Sequence, residues 1–161
     1  ADRVESYLHI PCPRMSNIRL LIDNPLPIPG KNQGTATAGS AEMSPEGLRQ
    51  LLDQNGLRAP GETVLFLTGY KGGQVNPALG DFVFNCTGIY KLDDSGVTLH
   101  QPAIFSGKVL SALKSIMAGI GPVHHDAMGT CGKRGQGVPS SGGSNAYIVI
   151  AANEAITIGG E

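Results

Sequence analysis

The sequence has no tryptophan, only 5% aromatic residues and only 16% charged residues. An average soluble domain carries roughly 25% charged residues. The shortage does not mean disorder, because 40% of the residues are hydrophobic and the net charge is only −1. Twelve basic residues face thirteen acidic ones, with no basic arm or acidic tail. Electrostatic capture of nucleic acid therefore has no footprint, and no nucleic-acid partner is expected. No apolar run approaches the ~18 residues of a membrane span, so no membrane partner is expected either. Cysteine is scarce too. Cys12, Cys86 and Cys131 form neither a CxxC pair nor a disulfide framework, which predicts reduced and mostly buried thiols. The opening Ala-Asp-Arg-Val-Glu lacks the profile of a signal peptide, and synthesis in the cytoplasm is expected.

Glycine is abundant instead: 23 of 161 residues, about twice its usual share of ~7%. That predicts a folded chain with many tight turns, and the length fits a single domain over 1–161. Low surface charge is also a mark of surface covered by another subunit, since interface cores are depleted of charge. A homo-oligomer is expected on that ground.

Periodicity places the elements. Val4, Leu8 and Ile10 share one parity, as do Ile18, Leu20 and Ile22, giving two strand-like stretches before residue 23. Pro11 and Pro13 keep the intervening chain out of a central strand. Residues 24–43 begin with alternating prolines and run into small polar residues, which predicts an extended arm. Ser44, Pro45 and Glu46 open a helix over 45–55, with Leu48, Leu51 and Leu52 on one face and Gly56 as its stop. The run at 62–68 predicts a strand buried on both faces, followed by a strand over 81–90. Asp93-Asp94-Ser95-Gly96 predicts a hairpin turn into a strand at 97–100. Ser106 is expected to cap a second helix over 107–118, with Val109, Leu110, Leu113, Ile116 and Met117 as its apolar stripe. Residues 121–145 carry seven glycines and predict a long irregular loop. Two short strands at 146–151 and 155–158 close the chain.

The expected fold is therefore α+β, a mainly antiparallel sheet with two amphipathic helices, a Pro-rich arm and a Gly-rich loop. Leu51, Leu52, Val64, Phe66, Phe84, Leu110, Leu113, Met117, Ile148 and Ile150 are expected in the core.

Reactive residue types concentrate in the 121–145 segment. His124, His125, Asp126 and Cys131 have ligand chemistry for zinc but match no HxxxH, HExxH or CxxC spacing, so no metal is expected. Cys131 with His124 or His125 would make a nucleophile and base, with Lys133 and Arg134 supplying positive field. Ser140, Ser141 and Ser144 lack the G-x-S-x-G elbow of a serine hydrolase. The run from Gly129 to Gly135 could form an anion nest, but it is not a Walker loop, because Ala127 and Arg134 stand where Gly and Ser or Thr are needed. No cofactor is expected.

Two functions of different class follow. The first is a self-assembling structural subunit, such as a coat, decoration or tube protein of a viral particle, with the virion as its destination. Under that reading the arm at 24–43 and the loop at 121–145 reach neighbouring subunits. The second is a small oligomeric enzyme whose site draws on His124, His125, Asp126, Cys131, Lys133 and Arg134. Low charge, abundant glycine and the failure of every spacing test favour the first.

Overall fold

A computed structural model describes residues 2–6, 9–14, 16–31 and 42–159, with side chains described from Ser16 onward except that of Met128. Among these residues the chain order is β1 (Asp2–Ser6), β2 (His9–Arg14), β3 (Asn17–Arg19), α1 (Pro45–Gln54), β4 (Val64–Asn76), β5 (Asp81–Asp93) and β6 (Gly96–His100). It continues with β7 (Ala103–Lys108), α2 (Val109–Lys114), β8 (Ile116–Lys133), β9 (Gln136–Ile150) and β10 (Ile156–Gly159). Strand dominates, so the α+β expectation with two amphipathic helices is corrected to a mostly β fold. The chain divides into two compact units, one of residues 1–42 with 118–149, the other of 43–117 with 150–161.

In the second unit, strands run in the order β10-β7-β5-β4, all antiparallel, with β6 also paired to β5. The hairpin turn falls where the sequence puts it, with Asp93 opposite Gly96 and Leu92 opposite Val97. α1 follows its local signals as well. The Ser44 hydroxyl accepts from the Gly47 amide at 3.1 Å, Pro45 takes the first turn, and Gly56 at φ 66 ends the element. Leu48, Leu51 and Leu52 are buried on its inner face, and Phe82, Cys86, Ile89 and Leu92 of β5 are buried in the same unit. Each fully buried aliphatic side chain contributes about 1.5–3 kcal/mol. Phe82 also packs on Phe105 at 4.9 Å and Phe84 at 5.7 Å between ring centroids.

The loop after α1 is pinned by a buried cation. Arg58 donates from Nε to Asp53 at 2.6 Å, and from one terminal nitrogen to Asp94 at 2.7 Å and the Glu62 carbonyl at 2.8 Å. Its guanidinium holds both carboxyls below their usual range.

Three expectations need correction here. β4 lies at the sheet edge, and Leu65 is exposed, so the 62–68 run is not buried on both faces. Val64, Phe66, Phe84, Ile148 and Ile150 are half-buried, short of the core expected for them. The second helix is cut to six residues, and Leu110, Leu113 and Met117 are exposed at 69%, 47% and 56%. The sheet wins the competition for its first turn. Ser106, Gly107 and Lys108 pair with β5, and Ser106 and Gly107 also with β10, so Lys108 becomes the N-cap in place of Ser106. Gly107 permits this, since a Cβ there would collide with the Ala155 carbonyl.

In the first unit, β1 and β2 form an antiparallel pair, and β3, β9 and β8 form a three-stranded sheet. β3 runs parallel to β9, with Ile18 opposite Gly142. The predicted irregular loop at 121–145 is in fact the long β8–β9 hairpin, and its turn is Arg134-Gly135 at φ 53 and 73. Two successive positive φ values give the type I′ turn that matches the twist of paired strands. The Pro-rich segment is corrected in part. Residues 24–31 lie on their own unit, where Leu26 bridges Ile120 and exchanges backbone hydrogen bonds of 2.8 Å with Gly119 and Gly121. Ile28 is 3% exposed there. Residues 32–41 of the expected arm lie outside the described residues.

Candidate functional site

All six candidate residues fall on β8 and its turn, and the extended backbone decides what they can do together. Successive side chains of a strand alternate between faces, so His124 and His125 point to opposite sides. His125 and Cys131 share a parity, but six residues of strand separate them by roughly 20 Å. The Cys–His nucleophile pair is therefore not assembled, and neither is a cluster of His124, His125, Asp126 and Cys131. Among the described residues no group of three or more His, Cys, Asp or Glu is placed to hold a metal ion. Lys133 and Arg134 are exposed at the hairpin tip, and the Gly129–Gly135 run is strand and turn instead of an anion nest.

Individual environments differ. His124 and His125 are half-buried, and Asp126 is exposed with its carboxylate accepting from the Ala127 amide at 2.9 Å. The His125 ring lies against Gly143, where a Cβ would come within 2.7 Å of Cε1. Its Nε2 is enclosed and has no hydrogen-bond partner among the described residues. Cys131 is half-buried. Cys86 is a core residue at 1% exposure, and burial pushes its thiol up and away from the reactive thiolate.

Sequence reasoning missed Asn145. It is 3% exposed, donates from Nδ2 to the Gly121 carbonyl at 2.7 Å, and ties β9 to β8 from within. The signal available was a lone amide immediately before the apolar closing run, which is a weak one.

In the second unit a shallow depression of about 420 Å³ is lined by Asp81, Ser106, Lys108, Glu154 and Thr157 among others. Lys108 is ion-paired with Asp81, and the Ser106 and Thr157 hydroxyls are 3.0 Å apart. Those four polar groups satisfy one another, and Glu154 stands exposed beside them.

No family model matches the chain. It is 28% identical over 98% of its length to a metalloprotease TldD homolog of Haemophilus influenzae, and 26% identical over 98% to one of Buchnera aphidicola. It is also 35% identical, over 49% of its length, to a metalloprotease of Methanothermobacter thermautotrophicus. The chain spans 27%, 27% and 17% of these proteins in turn, about a quarter of the length of the relatives that it matches end to end. The relatives are cellular proteins of bacteria and archaea carrying metalloprotease names. They overturn the expectation of a viral coat, decoration or tube subunit, and with it the virion as destination. No helix among the described residues is long and apolar enough to cross a membrane.

Proposed function

We propose that this chain serves as one part of a longer TldD-like metalloprotease, acting in peptide-bond hydrolysis together with residues outside the 161 described by its sequence. The observation that carries the reading is the similarity to the Haemophilus influenzae protein along 98% of the chain, over only 27% of that relative. A metalloprotease needs several donors on one ion, three from the protein in the usual catalytic zinc site. The described residues of this chain do not make such a site, because β8 spreads its donors along an extended strand.

What the chain offers is a long β-hairpin. Among the candidate residues the reading assigns a single donor to Cys131, a half-buried thiol whose thiolate is a strong zinc ligand. The remaining donors then come from elsewhere in the longer protein. Self-association is a separate proposal that rests on the low charge of the chain, and light scattering tests it.

The experiment is replacement of the matching segment of the Haemophilus influenzae relative by this chain. The expected chimaera binds metal and hydrolyses peptides in a chelator-sensitive way, and Cys131→Ser lowers its metal content. A folded, metal-loaded chimaera that cleaves no peptide refutes the reading.

A further inference from the structure

One apolar surface of the second unit is left uncovered by that unit's own elements. α2 has six residues and buries none of them. Leu110 and Leu113 stand one turn apart on it, and Met117 follows at the start of β8. The turn between β4 and β5 adds Leu79, which is 64% exposed. That turn is held to the first turn of α2, because the Val109 amide donates to the Gly80 carbonyl at 2.9 Å and Lys108 Nζ to the Leu79 carbonyl at 3.3 Å. A helix this short is marginal in water on its own. An uncovered one with two exposed leucines is therefore poorly supported by its own unit.

Charge narrows the choice of occupant. The sequence holds no Asp or Glu between Asp94 and Asp126. Lys108 is neutralised by Asp81, while Lys114, exposed at the end of α2, belongs to none of the ion pairs among the described residues. A polypeptide with an apolar centre and a carboxylate at its edge fits both features. The Haemophilus influenzae relative supplies further polypeptide, since the chain spans only 27% of it.

The geometry points to the ridge of Leu79, Leu110, Leu113 and Met117 as the seat of the remaining polypeptide of the longer protein, an apolar segment with Asp or Glu facing Lys114. This rests on the reading of the chain as one part of a TldD-like protein.

Thiol labelling tests it, with Leu110→Cys on the ridge and Leu99→Cys on β6 as a control that is 65% exposed. A maleimide is the probe, and labelling is mapped by peptide mass in the isolated chain and in the chimaera. Both positions are expected to label at similar rates in the isolated chain. In the chimaera, labelling at position 110 is expected to slow at least tenfold while position 99 is unchanged. Equal rates at the two positions in a chimaera that binds metal and cleaves peptides overturn the ridge and leave the proposed function standing. Protection at position 110 in a folded, metal-loaded chimaera that cleaves no peptide supports the ridge and refutes the function instead. Should the chimaera not fold, the isolated chain is mixed with the separately expressed remainder of the relative, and an unslowed rate at position 110 overturns the inference. An isolated chain that is already a dimer, protected at position 110 and dissociated by Leu113→Asp, assigns the ridge to a second copy and overturns it as well.

Discussion

Substituting alanine at two glycines of the β8–β9 hairpin separates the structure from the irregular loop that the sequence suggests. At Gly143 a Cβ would sit 2.7 Å from His125 Cε1, 2.8 Å from His125 Nδ1 and 2.8 Å from the His124 carbonyl oxygen. The carbonyl belongs to the backbone and cannot swing away. Gly143 is also held from its other side, where it pairs with Arg19 and its carbonyl accepts from the Leu20 amide at 2.8 Å. Overpacking of this kind costs about 1–3 kcal/mol. The lost flexibility of the unfolded chain returns about 0.4–1 kcal/mol. The balance for Gly143→Ala is a loss of up to about 2.6 kcal/mol, toward the upper end because the backbone carbonyl cannot yield. At Gly132 the nearest atom is the Gln136 carbonyl oxygen at 3.5 Å, an ordinary contact. Gly132→Ala therefore keeps the unfolded-state gain and should stabilise by about 0.4–1 kcal/mol. Urea unfolding, followed by tyrosine emission because tryptophan is absent, reads the difference. With a slope of about 1–3 kcal/mol per molar, the two midpoints should move in opposite directions by some tenths of a molar to about 1 M. Adding His125→Ala to Gly143→Ala clears the ring but not the carbonyl, so recovery should be partial. In an irregular loop neither Cβ meets a neighbour, and both variants would shift the midpoint the same way. That outcome would refute the hairpin.

Leu52→Ala, at 2% exposure beneath α1, should cost about 2–5 kcal/mol in the same urea assay; a loss under 1 kcal/mol would place Leu52 outside the core. Arg58→Ala should flatten the acid limb of stability. Asp53 and Asp94 are held below their usual values first by hydrogen bonds from Arg58. Depressed carboxyls lend stability above their ordinary pKa near 4, and lose it as pH falls toward the lower folded value. The parent should therefore lose stability relative to Arg58→Ala on acidification below about pH 4, and parallel pH profiles of Tm would show that the network is not coupled to folding.

The elements that were legible are those whose signals are local. Ser44-Pro45 and Gly56 fix both ends of α1, and Asp93-Asp94-Ser95-Gly96 fixes the β5–β6 turn, because caps and turns are decided by residues a few positions apart. The β8–β9 hairpin was hidden by glycines that break the period-two alternation. Gly121 and Gly143 are there because Ile28, Ala146 and His125 occupy the space a side chain would need, and such neighbours are distant in sequence. α2 misled for the opposite reason. Its apolar stripe is real, but strand pairing through Gly107 claims its first turn, and Leu110, Leu113 and Met117 face outward while Val109 and Ile116 are half-buried. The candidate residues fall together on β8 and its turn but with a different geometry from the loop the sequence suggests, since residues adjacent in a flexible loop become alternating or widely spaced residues in a strand.

That change of geometry carries a prediction about metal. Affinity for zinc comes from several donors converging on one ion, at about 2.0–2.3 Å each. A loop could fold His124, His125, Asp126 and Cys131 around such a point; β8 cannot. The strand sends the two histidines to opposite faces and sets Cys131 roughly 20 Å from His125. A lone thiolate or imidazole exchanges its metal during dialysis, because nothing else holds the ion when one bond opens. Purified alone and dialysed, the chain should therefore show the same metal content as His125→Ala and Cys131→Ala, and addition of a chelator should leave its Tm unmoved. Elemental analysis and thermal unfolding of the three proteins decide the matter. About one zinc per chain in the parent, lost in both variants and accompanied by a fall in Tm with chelator, would mean that these side chains converge after all. Fidelity of the chimaera's metal site to Cys131 alone, with no dependence on His124 or His125, is the matching expectation for the longer protein.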